Sequence, residues 1–422
     1  MQRDKRTFQI ASSLRRLGCA PTVVEGEPSS LERRDLPFEL VTVAGAEALR
    51  DPIADGGSTA EPLPEPGPGP AEEANGSHPL VAALPGPLSS ALSAIGAAIH
   101  RLRHRGRLLR MLVRGFRRDN RLTLEALPAA ELYYLTFFWQ FPAVRKACRR
   151  HGAVFVYDAN DAYWEWPAYQ WYPAAFRGLL RWVERRCVGR AAGFITVSEG
   201  VAHLLEQRYG RRPEVVRNLH DLRVDEDGGP DIRRGAGLTE EDFLLVVTGN
   251  EKPSDAVRET IQALTKVSDR VHLALMGRGY EKHLPDIRRL DLEDRVHLVP
   301  PVPPTQVTGA IRRADAGLIN IRARGVHLHA LPTRLFSTVA AGLPILYPPL
   351  PEVRALAEDY RLGEAVDAED PDSIAAAVRR LSDDAELTAE YRANVERARE
   401  ELNWEREESK LGKIIDSALT AQ

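Results

Sequence analysis

Backbone groups that suit an anionic ligand occur in the segment LPTRLFSTVAAG. Pro332 and Thr333 begin a predicted helix, and Arg334 follows directly. The first N–H groups of a helix lack partners inside it and carry partial positive charge. Proline fits the first turn because it has no N–H there to lose. The amides near Pro332–Leu335 can therefore face the oxygens of an anionic ligand such as phosphate. Arg334 is then either a phosphate contact or a solvated arginine.

Two further patterns bear on ligand chemistry. Gly277 and Gly279 follow a predicted strand, where glycines let a nucleotide approach the backbone closely, although this spacing alone has low specificity. His327 and His329 have the spacing of a metal pair, but no further Cys or His lies near them in the sequence. We therefore predict no metal site, because a pair of surface histidines is the commoner explanation of this spacing.

An aromatic run follows the predicted strand Ala153–Tyr157. The segment AYWEWPAYQWYP holds six aromatic residues, including Trp164 and Trp166. Aromatic faces stack on sugar rings and also occupy membrane interfaces. A packed loop that covers the end of the sheet explains the run equally well. Asp161, just before it, is either an acceptor contact or a helix cap.

A basic amphipathic helix is predicted over residues 91–118. Between Arg101 and Arg118 lie eight arginines and no acidic residue. An apolar stripe beside dense positive charge is typical of a helix on an anionic membrane surface, whereas a core-facing helix with a solvated basic face is the alternative. The apolar stripe comprises Leu92, Ile95, Ile99, Leu102, Leu109, Val113 and Phe116. The arginines expected to contact lipid are Arg103, Arg107, Arg110 and Arg114.

The elements that must position these residues alternate between strand and helix. This alternation predicts an α/β fold with parallel sheets that helices cover on both faces. Two such units are separated by a polar, glycine-rich segment, Asp225–Pro230, which suits an interdomain hinge. We assign residues 1–225 to the first domain, 238–400 to the second and 401–422 to a final helix. Residues 51–90 are rich in Pro, Gly and acid, which predicts a disordered insertion.

Composition excludes several classes of protein. The 422 residues include 57 Lys and Arg against 60 Asp and Glu, so the net charge of −3 provides no global basic field for nucleic acid. No apolar run approaches the ~18 residues that span a bilayer, and the N-terminus lacks the apolar core of a secretory signal. The three cysteines have neither zinc nor disulfide spacing. We expect a cytoplasmic protein with peripheral contact at the inner face of the membrane.

Several segments, in this order and spacing, resemble glycosyltransferase family 4, retaining enzymes of the GT-B fold. The resemblance implies two Rossmann-like parallel-sheet domains that face a cleft, with the acceptor on the N-terminal side and the donor on the C-terminal side. It also implies that the final helix returns to the first domain. The similar segments are FVYDANDAYWE, FITVSEGVAHLLEQRYG, LALMGRGY, LPTRLFSTVAAGLPIL and NWEREESKLGKIID.

The resemblance also identifies an irregular N-terminus. Asp4–Gly18 resembles a segment that family members place after their first strand, so this strand is expected to be missing from the chain. A truncated chain or a start codon called too late would explain it. A missing central strand leaves unpaired backbone groups on both of its neighbours.

The resemblance implies a donor site for a sugar nucleotide, without metal or other cofactor, and it also identifies departures. Two family glutamates correspond here to His329 and Ser337, so that His329 would lie near the transferred sugar and Ser337 near the ribose. Asn250 and Asp255 occupy positions where many relatives carry Arg and Lys. Lys252 is then either a substitute cation or a surface lysine. The donor-binding set is Gly249, Asn250, Lys252, Gly277, Pro332, Thr333, Arg334, Leu335 and Ser337.

On the acceptor side, the resemblance points to Asn160, Trp164 and Trp166, because Asn160 stands where a His or Glu often occurs. The catalytic candidates are Asp161 and His329. The resulting hypothesis is a retaining glycosyltransferase that moves a sugar from a nucleotide donor to a glycan or lipid-linked acceptor in polysaccharide or glycoconjugate assembly. The alternative is a weakened GT-B protein that binds glycan or partners an active enzyme. A nucleotide-sugar epimerase has no specific support.

Overall fold

A computed structural model describes residues 5–25, 38–42, 86–224 and 229–420. The predicted insertion therefore lies outside the described residues up to position 85, and residues 86–90 are helical. The N-terminal elements are α1 (Lys5–Arg16), β1 (Thr22–Glu25), β2 (Glu39–Thr42), α2 (Gly86–Ala126), β3 (Leu132–Leu135), α3 (Phe141–His151), β4 (Val154–Ala159), α4 (Pro167–Gln170), α5 (Ala174–Val188), β5 (Gly193–Thr196), α6 (Glu199–Tyr209) and β6 (Glu214–Val215).

The N-terminal strands form two parallel sheets among the described residues. One sheet has the order β3-β4-β5-β6, and β1 and β2 form a separate pair. Strand β4 is buried on both faces because helices lie on each side of it. Phe155 and Tyr157 belong to the core beneath α3 and α5, whereas Val156 belongs to the core beneath α1 and the last helix. The expected missing strand stays a prediction.

The C-terminal domain contains a single sheet of parallel strands in the order β12-β11-β10-β7-β8-β9. Its elements are α7 (Ile232–Gly235), β7 (Phe243–Thr248), α8 (Val257–Leu264), β8 (Val271–Met276), α9 (Leu284–Arg289), β9 (Val296–Val299), α10 (Val307–Ile311), β10 (Ala316–Leu318), α11 (Thr333–Ala340), β11 (Ile345–Tyr347), α12 (Pro351–Tyr360), β12 (Gly363–Ala365), α13 (Pro371–Asp383) and α14 (Ala385–Arg399). The chain ends with helix α15 (Trp404–Thr420).

This topology confirms the predicted α/β class. All six residues of β7 are buried, as expected for a central strand that helices cover on both faces. The chain runs outward from β7 to β9, then returns to β10 on the other side of β7. The strand order therefore reverses between β7 and β10. In open α/β sheets, ligands bind at the carboxyl ends of the strands at such a reversal.

The last helix lies on the N-terminal domain. Ile414 and Ile415 of α15 pack against Val156 and Ile195 of the first sheet. The buried indole of Trp404 donates a hydrogen bond from Nε1 to Ser13 Oγ at 2.7 Å. Helix α15 thus holds α1 against the first sheet. The N-terminal end of α15 connects it to the C-terminal domain.

Helix α1 is anchored to the first sheet by a buried ion pair. Arg6 donates from Nε and Nη2 to the carboxylate of Asp158 at 2.7 and 3.0 Å, and from Nη1 to the carbonyl of Val216 at 3.0 Å. Tyr134 also donates to Asp158 at 2.8 Å. Because these three donors surround Asp158, its carboxylate is held by the protein, whereas Asp161, in the segment that follows β4, is only partly buried.

Helix α2 extends further than predicted, and its apolar stripe faces protein where its side chains are described. Phe116 packs edge-on against Trp139, with ring centroids 5.0 Å apart, and Leu109 and Val113 contact the same core. Asn120 donates to the carbonyl of Trp139 at 3.0 Å. The apolar stripe beyond residue 105 therefore belongs to the domain core, and the membrane hypothesis rests there on the exposed basic face alone.

A buried carboxyl group, Glu184 on α5, gives a testable pH dependence. Tyr157 and Tyr209 both donate to it, and burial raises its pKa to about 7 from a usual value near 4.5. A raised folded-state pKa stabilises the fold below the unfolded pKa, and this contribution is lost as pH rises through 7. As the pH rises from 5 to 8, we expect the free energy of unfolding of Glu184→Gln to increase by about 2 kcal/mol relative to that of the wild type, measured by urea denaturation. A constant difference across this range would contradict the assignment.

Candidate functional site

Two loops meet where the strand order of the C-terminal sheet reverses. The loop after β7 and the loop after β10 are joined by backbone hydrogen bonds from Ala256 N to Asn320 O at 2.7 Å and from Arg322 N to Ser254 O at 2.9 Å. These bonds bring the segment NEKPSD against the segment that leads to α11. The predicted donor residues of both loops are thus held in one place.

The glycines of this region pack the loops against one another. Gly277 has φ +150°, and a Cβ there would lie 2.3 Å from the carbonyl oxygen of Gly249. The same oxygen accepts a hydrogen bond from the Tyr280 hydroxyl at 2.8 Å, and Asn250 Oδ1 accepts one from Arg278 N at 3.0 Å. Gly249, Asn250 and Gly277 therefore shape the loops, and the close approach that the glycine spacing predicts is made here by protein backbone.

Arg334 forms a buried ion pair. Its guanidinium donates from Nη2 to Asp255 Oδ2 at 2.9 Å and from Nη1 to Asn320 Oδ1 at 2.6 Å, with side chains that are 8% and 0% exposed for Arg334 and Asp255. The predicted alternatives for Arg334 were a phosphate contact or a solvated arginine. The solvated alternative is wrong. A phosphate contact would have to share the guanidinium with Asp255, which already balances its charge.

Lys252 is a second cation close to this ion pair. Part of Lys252 is accessible to solvent, and desolvation of its amine by the surrounding loops, followed by the charge of Arg334, lowers its pKa, while Asp255 and Asp161 act in the opposite direction. His327 lies in the same electrostatic neighbourhood, since burial and then Lys252 lower its pKa. Lys252 and His327 thus stand beside the paired Arg334.

The start of α11 presents free backbone donors. Pro332 is the N-cap, and no side chain caps the helix. Among the described residues, the amides of Thr333 and Arg334 donate to no protein acceptor, whereas Leu335 N bonds to the Pro332 carbonyl at 3.0 Å. Two of the amides predicted to face an anion are therefore available. Ser337 lies one turn further on, and its hydroxyl donates to the carbonyl of Thr333 at 3.3 Å.

Asp161 of the N-terminal domain lies opposite these groups. Its two carboxylate oxygens accept from Ala162 N and from the Trp166 indole, each at 2.8 Å. Burial raises its pKa to about 6, while the two hydrogen bonds and then Lys252 and His329 act to lower it. Lys252 and His329 of the C-terminal domain are close enough to affect the pKa of Asp161. The two catalytic candidates, Asp161 and His329, therefore lie at the same interface between the domains. The hydrogen bond to Trp166 also gives Asp161 a structural role in the aromatic run.

The backbone of His329 forms part of the contact between the domains. Ser198 donates from Oγ to the His329 carbonyl at 2.6 Å. A Cβ on Gly200 would meet that carbonyl at 3.0 Å, so the start of α6 packs closely against this loop. The Glu352 carboxylate accepts hydrogen bonds from the amides of Gly200 and Glu199, and burial raises its pKa. His329 is thus fixed where the two domains touch.

The predicted acceptor-side residues are only partly available. Trp164 is 8% exposed, and the guanidinium of Arg208 covers its ring at 4.1 Å from the centroid. Trp166 is held by Asp161, and Asn160 has a buried Oδ1 with no partner in the described structure. The exposed member of the aromatic run is Trp171, at 56%. The packed-loop alternative therefore fits Trp164, and its ring does not present a free face for sugar stacking.

Asp255, Asn320 and His327 were not among the predicted site residues. For Asp255, the sequence offered one signal of an ion pair. An acidic residue stands where relatives have a cation, and Arg334 stands at a second position where relatives have a cation. Among the described residues, no group of three or more His, Cys, Asp or Glu side chains is arranged to hold a metal ion. No helix in the described ranges is both long and apolar enough to cross a membrane.

Comparison with known proteins finds a family likeness in the C-terminal domain. Residues 242–384 match the family model described as Glycosyl transferases group 1. This match covers the reversal of strand order and α11, the part of the chain that holds the candidate donor site. No curated protein matches the chain by sequence.

Solved structures extend the likeness to the whole chain. The Anabaena protein HepE, crystallised with UDP and glucose, aligns over 97% of this chain and 95% of its own, with a TM-score of 0.63 and 15% identity. A glycosyltransferase from Rickettsia africae aligns over 99% and 94%, with a TM-score of 0.60 and 10% identity. Sucrose-phosphate synthase from Thermosynechococcus elongatus aligns over 71% and 78%, with a TM-score of 0.56 and 14% identity. These likenesses show the GT-B fold, which confirms the predicted fold class.

Proposed function

We propose that this protein is a glycosyltransferase that moves a sugar from a nucleotide-sugar donor to a glycan or lipid-linked acceptor. The observation that carries the proposal is the pair of free amides at the start of α11, with Lys252 beside them, at the strand-order reversal of the domain that matches the glycosyltransferase model. Such a site suits a diphosphate leaving group. HepE, which shares the fold, was crystallised with UDP and with UDP-glucose.

In the proposed donor complex, the diphosphate lies over the amides of Thr333 and Arg334. Lys252 supplies a positive charge that forms no ion pair within the described residues, and Arg334 holds the loop through Asp255. Ser337 then lies beside the ribose and His329 near the transferred sugar. No metal or other cofactor takes part in this arrangement, because backbone N–H groups and Lys252 stabilise the leaving charge.

Asp161 is the proposed contact to the acceptor hydroxyl. Each carboxylate oxygen accepts one hydrogen bond from protein, and a carboxylate oxygen can accept another. With a pKa of about 6, the group is mainly ionised at neutral pH and can accept a hydrogen bond from the hydroxyl. We propose that transfer retains the configuration at the sugar and that the transferred group is a hexosyl unit, as the family 4 resemblance implies.

Calorimetry with UDP and GDP tests the donor site. We expect one nucleotide to bind the wild type and Lys252→Ala to weaken that binding about tenfold, since a charge-assisted contact to phosphate is lost. Lys266→Ala is the matched control, because Lys266 pairs with Asp372 away from the site. A folded wild type that gives no heat with either nucleotide would overturn donor binding. Release of free sugar or a glycosylated product from the bound donor tests transfer itself.

A GT-B protein that binds glycan or partners an active transferase is the second candidate. The Arg334–Asp255 ion pair favours it, because a cation at this position is already balanced within the protein. A protein that binds oligosaccharide but neither UDP nor GDP would support this alternative.

We further propose a role in polysaccharide or glycoconjugate assembly, at the cytoplasmic face of an anionic membrane. The exposed arginines of α2 form one stripe along the helix, because Arg107, Arg110 and Arg114 follow at steps of three and four residues. Arg103 continues this spacing, although its side chain lies outside the described residues. Helices α3 and α5, which contact α2, also carry arginines, and desolvation followed by the charges of Arg149, Arg190 and Arg186 lowers the pKa of Arg145.

The membrane proposal predicts a charge-dependent sedimentation with vesicles. We expect the wild type to pellet with vesicles that contain phosphatidylglycerol and to be released by high salt. Changing the four arginines at 103, 107, 110 and 114 to serine should weaken binding at least tenfold. The matched control changes four exposed C-terminal arginines to serine: Arg258, Arg288, Arg289 and Arg354. Equal loss in both variants would leave only a nonspecific charge effect and refute an α2 surface.

A further inference from the structure

A cavity of about 360 Å³ lies in the N-terminal domain, between the aromatic run and helices α4, α5 and α6. Trp164 and Tyr169 form its aromatic wall, and three arginines line it: Arg177, Arg181 and Arg208. Its volume falls within the range of small-molecule sites. None of the donor-site residues contributes to it.

The three arginines all lie near the Tyr169 hydroxyl. Burial and then Glu184 raise the pKa of this hydroxyl, and Arg208, Arg181 and Arg177 act to lower it. The same hydroxyl donates to the Arg177 carbonyl at 3.2 Å. None of the three guanidinium groups forms an ion pair with a carboxylate in the described parts of the chain. Three cations thus face a shared space without direct neutralisation.

The acids around the cavity leave it positive. Glu165 contributes to the wall, and Glu184 lies next to Arg208 in the core. Burial raises the pKa of Glu184 to about 7, so this carboxyl group carries only part of a negative charge at neutral pH. Three arginines therefore exceed the negative charge that surrounds them.

Two of the arginines are held in place before any ligand arrives. Arg208 lies over the Trp164 ring at 4.1 Å and donates from Nε to the Tyr209 hydroxyl at 3.2 Å. Arg177 donates to Gln170 Oε1, and Gln170 in turn donates to the Trp164 carbonyl at 2.8 Å. Arg181 has no hydrogen-bond or ion-pair partner among the described residues. The cavity thus combines a fixed frame with one free guanidinium, the residue type that best matches phosphate geometry.

We propose that this cavity binds a phosphate or diphosphate group carried by the acceptor. The link to an acceptor rests on the proposed transferase function. Trp164 lies three residues after Asp161. An acceptor anchored here by its phosphate would extend toward the carboxylate that faces the donor domain. The phosphate could belong to a lipid headgroup in the bilayer or to a molecule outside it, since the chemistry of recognition is the same.

Binding of inorganic pyrophosphate to three full-length proteins tests the site. We expect Arg181→Gln to weaken binding roughly 10- to 100-fold relative to the wild type, because a charge-assisted contact is lost. Arg185→Gln is the matched control, since Arg185 is an exposed arginine on the same helix but does not line the cavity. Repeating the titration on the Lys252→Ala background removes competition from the donor site. Equal binding by Arg181→Gln and Arg185→Gln overturns the proposal.

Two measurements separate binding at this cavity from binding at the donor site and identify the source of the phosphate. UDP affinity should be unchanged in Arg181→Gln, so a failure of the donor site and a failure of this cavity give different patterns. Vesicles of phosphatidylglycerol, compared with neutral phosphatidylcholine, identify the source of the phosphate: displacement of pyrophosphate indicates a lipid headgroup, and retention indicates a phosphate outside the bilayer. A second variant, Arg177→Gln, gives an independent check and should weaken pyrophosphate binding in the same direction.

Discussion

Replacing Arg334 by methionine is expected to lower the free energy of unfolding by about 3–5 kcal/mol. The guanidinium is 8% exposed and its partner Asp255 is fully buried, so the substitution leaves an uncompensated carboxylate inside the protein. The second oxygen of Asp255, Oδ1, already has no hydrogen-bond partner in the described structure. The remaining oxygen would lose its guanidinium and keep only a bond from Lys252 N at 3.2 Å.

The double variant Arg334→Met, Asp255→Leu provides the internal control. Removing both charges together avoids the buried unpaired carboxylate, so the double variant should be more stable than Arg334→Met alone. Urea denaturation in the absence of nucleotide measures all three proteins. A single variant that loses less than about 1 kcal/mol would show that Arg334 behaves as a solvated arginine, because surface ion pairs contribute about that much.

The pairing of Arg334 with Asp255 shows what the sequence could and could not predict. The start of α11 was predicted from local signals, the Pro-Thr dipeptide and the helical pattern after it, and these depend only on neighbouring residues. The ion pair joins positions 79 apart and depends on β10 lying beside β7. Strand order is a property of the whole sheet, so it could not be predicted from the spacing around either residue.

Helix α2 shows a different limit. The periodicity of Leu109, Val113 and Phe116 predicts a helix with one apolar face, and the structure has that helix. What the face contacts is a separate question, since a core and a lipid surface select the same residue types at the same spacing. Near the end of the helix, Asn120 shows that the face contacts protein. Its side-chain nitrogen donates to the carbonyl of Trp139, and its side-chain oxygen accepts from the amide of Ala143. A polar side chain buried among protein partners indicates a core-facing helix.

The aromatic run was open to two interpretations for a related reason. Residue type alone does not say which rings are covered, and Trp164 and Trp171 differ only in their surroundings. Arg208 lies over Trp164, whereas Trp171 is 56% exposed. Arg208 belongs to α6, more than forty residues further along the chain. The cation–π contact, and with it the positive cavity, is therefore a product of tertiary packing.

Changing Ser337 to glutamate is expected to tighten UDP binding roughly 10- to 100-fold if the proposed donor site is correct. Ser337 lies one turn after Thr333 on α11, and it is partly exposed. Its hydroxyl already donates to the Thr333 carbonyl and offers a nucleotide only a weak acceptor. A carboxylate at this position can accept from two ribose hydroxyls, and each charge-assisted hydrogen bond contributes about 1.5–3 kcal/mol.

Ser337→Gln is the matched control for this gain, because glutamine has nearly the same shape without the charge. Calorimetry at fixed ionic strength should rank the UDP affinities as Glu above Gln and Gln close to the wild type. The ion pair of Arg334 is left intact in both variants, so a change in affinity cannot come from the loss of that pair. Equal affinities for the Glu and Gln variants would place the ribose away from α11. If none of the three folded proteins binds UDP or GDP, the donor site is absent and the glycan-binding alternative is favoured.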